Sequence, residues 1–188
     1  MKPNFDICVI ARNEEKTLPR FFDSLKDFLD RGGECHLTDT GSTDKTVEIA
    51  KSFGAIVHEA GDKFKRIITE QEAEEINKAF VVEGEANILK AGESLFDFAS
   101  ARNYAASFAK NDFVFFHDAD ECYTRLDIDK INEIIADDNL NNLEYEFVFS
   151  HDSFGSPTIQ FVQSKAYRKD RLFWSGIVHE VLQPIQKK

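Results

Sequence analysis

The chain is short of basic residues, has few cysteines and contains no long apolar run. Against 34 acidic residues stand 23 basic ones, giving a net charge of −11 over 188 residues. Nucleic-acid binding rests on a basic surface that neutralises phosphates, so this deficit argues against nucleic-acid partners. No apolar run approaches the ~18 residues of a membrane-spanning helix, so no transmembrane segment is expected. The start, Met1-Lys2-Pro3-Asn4-Phe5-Asp6, lacks the apolar stretch of a secretory signal. The three cysteines, Cys8, Cys35 and Cys122, are odd in number, far apart and without metal-ligand spacing. They read as free thiols of a reducing compartment. A cytoplasmic location follows, peripheral to a membrane only through an acceptor held there. The acidic balance also sets a requirement: a phosphate-bearing substrate would need a cation or local arginines, for which Arg12, Arg102, Arg168 and Arg171 are the candidates.

What the chain does have is core-forming material. Hydrophobic residues make up 42% and aromatics 12%, with 18 phenylalanines against 4 tyrosines and 1 tryptophan. That is enough for one domain, residues 1–188, with a proper core. Phe5 to Ala11 reads as a buried strand. Leu18, Phe21, Phe22, Leu25, Phe28 and Leu29 recur at helical spacing, which predicts a helix over Thr17–Asp30, with Thr17 as N-cap and Pro19 in the first turn. A strand over Glu34–Thr40, a helix over Asp44–Phe53 and a strand over Ala55–His58 complete a β-α-β-α-β series. That series implies an α/β fold with a mostly parallel central sheet flanked by helices. Residues Gly61 to Leu95 break the rhythm and read as a helix and hairpin insertion. Its helix runs from Thr69 to Phe80, and its hairpin over Val81–Leu89 turns near Glu83-Gly84. Beyond it come a helix over Phe96–Lys110, a strand from Phe113, a helix over Asp127–Asp137, and strands over Glu144–Ser150 and Thr158–Gln163 joined by a turn at Asp152–Pro157. A mixed tail over Ala166–Val181 follows.

The chemistry gathers where strands end, which is where parallel α/β sheets bind ligands. Strand one ends in Arg12-Asn13-Glu14-Glu15, strand two in Asp39-Thr40-Gly41-Ser42-Thr43-Asp44. The strand from Phe113 ends in Asp118-Ala119-Asp120-Glu121. Residues i and i+2 of a strand share a face, so Asp118 and Asp120 can present oxygen ligands to a hard divalent cation. The alternative is a solvated acidic turn. Asp39 can accept a nucleobase N–H. Asp44 reads as a first-turn acid complementing the helix dipole.

These segments resemble glycosyltransferase family 2. Asp39-Thr40-Gly41-Ser42-Thr43-Asp44-Lys45-Thr46 is similar to its D-x-G-S-x-D-x-T signature, and Arg12-Asn13-Glu14-Glu15 to its N-E-E start. Ala101-Arg102-Asn103-Tyr104-Ala105, followed by Asp118-Ala119-Asp120, resembles its A-R-N-x-A and D-x-D segments. Trp174-Ser175-Gly176-Ile177-Val178-His179-Glu180 is similar to the W-x-G-x-x-H-E ending of its bacterial cell-surface branch. The blocks keep their order from residue 5 to 182. The resemblance implies a GT-A fold and an inverting transfer from a nucleotide-sugar, a UDP-sugar by family habit, to a glycan, lipid-linked or protein acceptor. It also implies a divalent metal, Mn²⁺ or Mg²⁺. Carried over residue by residue, Asp39 would bind the base, and Asn13 and Glu14 would line the nucleoside pocket. Arg102, with Arg12 as a further basic candidate, would lie near base or diphosphate. Asp118 would contact ribose or sugar, and Asp120 would be the principal metal ligand. His179 would complete the metal shell, or else is an ordinary structural histidine. The family's E-D base motif is absent, which leaves the general base among Glu180, Asp152 and Glu121, with Glu180 as the acceptor-side choice. His117 and His151 read as structural or surface residues.

A nucleotidyltransferase would carry a glycine-rich basic loop after strand one, and Arg12-Asn13-Glu14-Glu15 has no glycine. A two-metal phosphohydrolase would need more ligands than this cluster offers. A non-catalytic nucleotide-sugar-binding module is the reading from a different class. The insertion reads either as a closing or acceptor-binding element or as a decoration packed on the sheet. The chain stops soon after His179-Glu180, as the N-terminal part of a longer protein would.

Overall fold

The computed structural model describes residues 1–82, 86–151, 156–176 and 180–186. β1 (Phe5–Ala11) is buried along its whole length. The single helix expected over Thr17–Asp30 is two: α1 (Leu18–Ser24) and α2 (Lys26–Asp30). They part at Leu25, whose φ of −96° and ψ of 2° leave the helical region. Leu25 is nevertheless fully buried, as are Leu18 and Phe28. The apolar stripe therefore runs unbroken across the bend, and periodicity alone could not reveal it. Pro19 sits in the first turn as expected, but the Thr17 side chain does not cap; its hydroxyl donates to the Glu14 carbonyl instead (3.1 Å).

β2 (Cys35–Asp39), α3 (Thr46–Ser52) and β3 (Ile56–Glu59) follow as the pattern predicts, within two residues. In the insertion, β4 (Lys65–Ile67) precedes α4 (Glu70–Phe80), which opens on a complete capping box between Thr69 and Glu72. The hairpin of this region is not over Val81–Leu89. It pairs β4 with β5 (Ser94–Phe96), antiparallel. None of the described residues 81–82 and 86–89 lies in a strand. The amides of Ile88 and Leu89 donate instead to the Asn77 side chain (2.9 and 3.1 Å), so α4 takes the place of a partner strand. Glu83-Gly84 lies outside the described residues.

α5 (Phe98–Ser107) starts at an Asp97 cap, and β6 (Phe113–Asp118) is buried until its last residue. α6 (Ile128–Ile135) is capped by Asp127. β7 (Asn142–His151) and β8 (Pro157–Arg168) are longer than their apolar cores suggested. The turn expected over Asp152–Pro157 falls mostly on residues 152–155, which lie outside the described residues. β9 (Leu172–Ser175) and β10 (Val181–Pro184) form a small antiparallel pair within the expected tail.

The main sheet has the order β3-β2-β1-β6-β8-β7. β3, β2, β1 and β6 are parallel, and β8 and β7 join antiparallel. The chain builds outward from β1 to β3, then crosses back to place β6 on the other side. The switch point therefore lies between β1 and β6, where sheets of this kind open a crevice at their carboxyl ends. Register keeps the ends level: Ala11 lies opposite Asp39, and Ile10 opposite Asp118.

Alternation sorts the side chains onto two faces. Phe5, Ile7 and Val9 pack with Phe113 and Phe115 against Leu18, Phe21, Phe22 and Phe28. Cys8, Ile10, Val114 and Phe116 face α5, whose Ala101, Ala105 and Ala106 let the helix come close. Each fully buried phenylalanine contributes about 1.5–3 kcal/mol of transfer free energy. Among the described residues no helix is long and apolar enough to cross a membrane.

Candidate active site at the carboxyl edge

Two loops of the carboxyl edge are stitched together by short polar side chains. Asn13 adopts φ 57°, a left-handed conformation that asparagine tolerates. Its N–H donates to Ser42 Oγ (2.9 Å), and its Oδ1 accepts from the Thr43 amide (2.8 Å). The Glu14 amide donates to Thr46 Oγ1 (2.7 Å), and the Glu15 amide to Asp44 Oδ2 (3.2 Å). Asp44 also takes the amide and hydroxyl of Thr46. Burial raises its pKa, but these hydrogen bonds outweigh that and hold it below the ordinary carboxylate value. Asp44 thus lies just ahead of α3 and serves as a brace between loops. Glu14 accepts from the Thr17 hydroxyl (2.5 Å).

Asp39 is 5% exposed. Its Oδ2 accepts from the Gly41 amide (3.1 Å), and the Ser42 amide lies 3.2 Å from both oxygens. The tight turn depends on Gly41 at φ +97°. The turn uses only part of the carboxylate's acceptor capacity. Arg12 is exposed and pairs with Asp62 at 3.4 Å.

At the end of β6 the three carboxylates separate. Asp118 is the last strand residue, whereas Asp120 lies in the following turn, so strand alternation does not carry over to it. Asp118 is held by two cations: Arg102 Nη2 at 3.3 Å from Oδ1 and Lys165 Nζ at 2.8 Å from Oδ2. Glu121 turns back into the protein. It accepts from the Asp118 amide (3.1 Å), meets His117 Nδ1 (3.2 Å) and pairs with Lys165. Asp120 is exposed. Its carboxylate has no hydrogen-bond or ion-pair partner among the described residues, although its carbonyl accepts from Arg20 (3.3 Å).

Beneath Glu121 lies a buried relay. His117 Nε2 meets the Tyr123 hydroxyl. Burial pushes the Tyr123 phenol up and His117 down, the latter against the opposing pull of Glu121. Tyr123 therefore stays the donor, and neutral His117 donates from Nδ1 to Glu121. Burial alone would raise Glu121, but its bond to His117 and the charge of Lys165 bring it below the usual value. Glu121 is thus a satisfied internal anion, and His117 is buried between it and Tyr123.

Arg102 links the edge to the tail of the chain. Its Nε donates to Glu180 Oε1 (3.0 Å), while its guanidinium carbon lies 4.5 Å from the Phe116 ring centroid and 5.0 Å from that of Trp174. Neighbouring Asn103 fixes Trp174 through both backbone groups, amide to Oδ1 (2.8 Å) and Nδ2 to carbonyl (2.7 Å). Nη1 of Arg102 is buried without a partner among the described residues. His179 and Asp152 lie outside the described residues, as does the side chain of His151.

Arg168 and Arg171 do not belong to this edge. Arg168 lies opposite Phe113, at the start of β6, and donates to the Leu140 carbonyl (3.0 Å). Arg171 bonds Asn141 (3.2 Å). Lys165 was the residue that sequence reasoning missed. Its one available signal was a lysine standing in line with the buried Ala166 and Tyr167 of a strand. A groove of about 700 Å³ also lies in the insertion, between α4 and residues 87–91, but none of its lining residues comes from a strand end.

The carboxyl edge of this mostly parallel α/β sheet, where ligands of such sheets bind, carries several carboxylates and one buried arginine. The sequence pattern of glycosyl transferase family 2 matches residues 6–81 and 68–181. The chain belongs to that family, and its fold is the expected GT-A arrangement. Among solved structures it is similar to Staphylococcus aureus TarS 1–349 in complex with UDP, at 20% identity and a TM-score of 0.49, covering 76% of this chain and 34% of that one. It is also similar to mannosyl-3-phosphoglycerate synthase from Rubrobacter xylanophilus (18%, 0.45, covering 74% and 38%). A third is glucosyl-3-phosphoglycerate synthase from Mycobacterium tuberculosis in complex with Mn²⁺, UDP and glucosyl-3-phosphoglycerate (24%, 0.36, covering 62% and 33%). The chain thus spans well under half of each. No curated protein matches it in sequence.

Proposed function

We propose that this chain transfers a sugar from a nucleoside-diphosphate sugar, a UDP-sugar on the resemblance, to a hydroxyl acceptor with inversion. The acceptor is a glycan, a lipid-linked carrier or a protein. The observation that carries the proposal is the convergence of Asp39, Asp118, Arg102 and the unpartnered Asp120 at the switch point of a family-2 chain. Asp39 supplies an acceptor for a base N–H with the capacity its turn leaves free. Asn13, Glu14 and Arg12 border the nucleoside. Asp118, oriented by Arg102 and Lys165, faces ribose or sugar.

A divalent ion, Mn²⁺ or Mg²⁺, would be held by Asp120, an exposed carboxylate with no hydrogen-bond or ion-pair partner among the described residues, the kind of oxygen ligand a hard cation takes. His179 joins it on the resemblance alone. When bound, the ion supplies positive charge beside the departing diphosphate. Arg102 contributes fixed positive charge from the protein. In the transfer, the bond from the anomeric carbon to the phosphate oxygen breaks and its electron pair leaves with the nucleoside diphosphate. The acceptor oxygen bonds to that carbon from the opposite face, and its proton passes to Glu180, which Arg102 orients. Glu121 is set aside as the base because both of its oxygens are engaged. Placement in the bacterial cell-surface branch rests on the segment from Trp174 to Glu180.

A panel of nucleotide-sugars with Mn²⁺ tests the reading. One donor should raise the melting temperature by mass action and be turned over. Asp120→Ala should abolish that turnover and leave the melting temperature without ligand unchanged; near-normal turnover would sink the assignment. Stabilisation without turnover in the intact chain would identify a binding module instead.

A further inference from the structure

The opposite, amino-terminal edge of the same strands holds a second convergence, independent of the reading above. Asp6 of β1, Glu34 just before β2 and His36 within β2 each offer one ligand atom, all within 4.8 Å of one another. Asp6 and His36 are 1% and 2% exposed. Two of these side chains carry unsatisfied atoms: Glu34 Oε2 and His36 Nε2 are both buried and without a hydrogen-bond partner among the described residues. A buried polar atom left unpaired is costly, and here two such atoms face each other at 3.5 Å.

That separation fits a shared ion. Ligand distances of about 2.0–2.2 Å around a tetrahedral metal place neighbouring donor atoms roughly 3.4 Å apart. The surrounding contacts also prepare the donors. His36 Nδ1 lies 3.2 Å from His58 Nε2, and His58 stacks on Phe108 with ring centroids 3.6 Å apart. Donation of the Nδ1 proton to His58 leaves Nε2 as a bare lone pair, the usual way a ligating histidine is oriented. Asp6 is pinned through Oδ2 by the amides of Lys110 and Asn111 (2.7 and 2.8 Å) and through Oδ1 by Asn111 Nδ2 (3.0 Å). Its Oδ1 keeps a second lone pair. Lys110 Nζ occupies only the other oxygen of Glu34 (2.7 Å from Oε1), and that lysine side chain is 72% exposed.

We propose that Asp6, Glu34 and His36 bind one divalent first-row transition-metal ion, zinc being the occupant that one imidazole and two carboxylates favour, with water in the fourth position. The ion ties the starts of β1 and β2 to the turn before β6. It lies at the amino-terminal edge of the sheet, opposite the edge proposed for sugar transfer.

The test uses the full chain without nucleotide, dialysed against Zn²⁺ and analysed for metal, with Co²⁺ as the spectroscopic probe. One ion per chain, a raised melting temperature and visible Co²⁺ bands are expected. Glu34→Gln keeps the shape of a partly exposed side chain and should weaken Zn²⁺ binding at least roughly tenfold; His36→Gln should do the same. Asp120→Ala should retain the ion, and Glu34→Gln should retain donor turnover with Mn²⁺. No stoichiometric ion in the intact chain overturns the proposal. So does an ion lost with Asp120→Ala but kept in Glu34→Gln, which would belong to the carboxyl edge.

Discussion

The two edges of one parallel sheet handle acidic residues in opposite ways. At the carboxyl edge, partly buried carboxylates meet full cations: Glu180 meets Arg102, Glu121 meets Lys165, and Asp118 meets both. The carboxylate left over, Asp120, stands in water. At the amino edge, Asp6 is satisfied by amides, while Glu34 and His36 keep unpaired atoms in the interior. At the carboxyl edge the other carboxylates are paired, but among the described residues Arg102 Nη1 and Trp174 Nε1 are buried without a hydrogen-bond partner. The amino edge leaves its deficit buried. An edge that must bind and release a substrate benefits from internal balance in both states, because a buried charge exposed in either would be costly.

Breaking the largest pairing should have the largest effect. Arg102→Met leaves Glu180, whose side chain is 17% exposed, without its cation. Asp118 loses one of its two cations but keeps Lys165 at 2.8 Å, and at 38% exposed it recovers part of the loss from water. Orphaning a buried charge costs about 3–5 kcal/mol; the lower figure, about 3 kcal/mol, is expected in urea unfolding, with loss of donor turnover. Lys165→Met comes next. Glu121 keeps the Asp118 amide and His117, so about 2 kcal/mol is expected. Equal stability of the intact chain and either variant would show that the edge is not held by these pairs.

Acid should find the same balance. His117 has its pKa lowered chiefly by burial, with Lys165 adding to the effect and Glu121 and Asp118 opposing it. The unfolded imidazole titrates near 6.5. Below that pH the unfolded chain takes up a proton that the folded chain resists, so stability is full above about pH 6.5 and falls as pH drops toward the folded pKa. His36 and His58, both lowered first by burial, act in the same direction. Glu121, lowered in the fold, adds its own loss only below about pH 4.5. Chemical unfolding of His117→Gln across pH 5–7 should therefore show a shallower slope, by at most about 1.4 kcal/mol per pH unit. An unchanged slope would mean that His117 binds its proton equally well in the folded and unfolded chains.

The sequence revealed the parallel strands, because runs such as Phe5–Ala11, interrupted only by Asp6, and Phe113–Phe116 are apolar enough to be buried on both faces. It also revealed which loops meet, since the order of strand ends places them together. It did not reveal the break at Leu25, where the apolar stripe continues through the bend. Nor did it reveal the β4–β5 pair, because those three-residue strands are too short for alternation to register. In the site, the identities of Asp118 and Asp120 were legible but their division of labour was not. That division depends on Lys165, which reaches Asp118 and Glu121 from a strand 44 residues beyond Glu121. Long-range charge pairing of this sort leaves no local pattern.

The smallest expected effects lie in the stitched loops, where backbone geometry matters more than charge. Gly41→Ala places a side chain at φ +97°. Its Cβ would meet the Gly61 backbone only at ordinary contact distance, 3.6 Å, so the cost is conformational, about 1–2 kcal/mol. Because the Gly41 and Ser42 amides set the Asp39 carboxylate, nucleotide affinity should fall along with stability. Ser42→Ala removes only the acceptor of the Asn13 amide. That amide lies at an exposed loop where water can replace the hydroxyl, so about 0.5 kcal/mol is expected. Thermal melts and nucleotide titrations of the two variants should therefore rank Gly41→Ala well above Ser42→Ala in both readouts. The reverse order would place the loop-to-loop stitch, rather than the turn around Asp39, in control of the nucleotide side of the crevice.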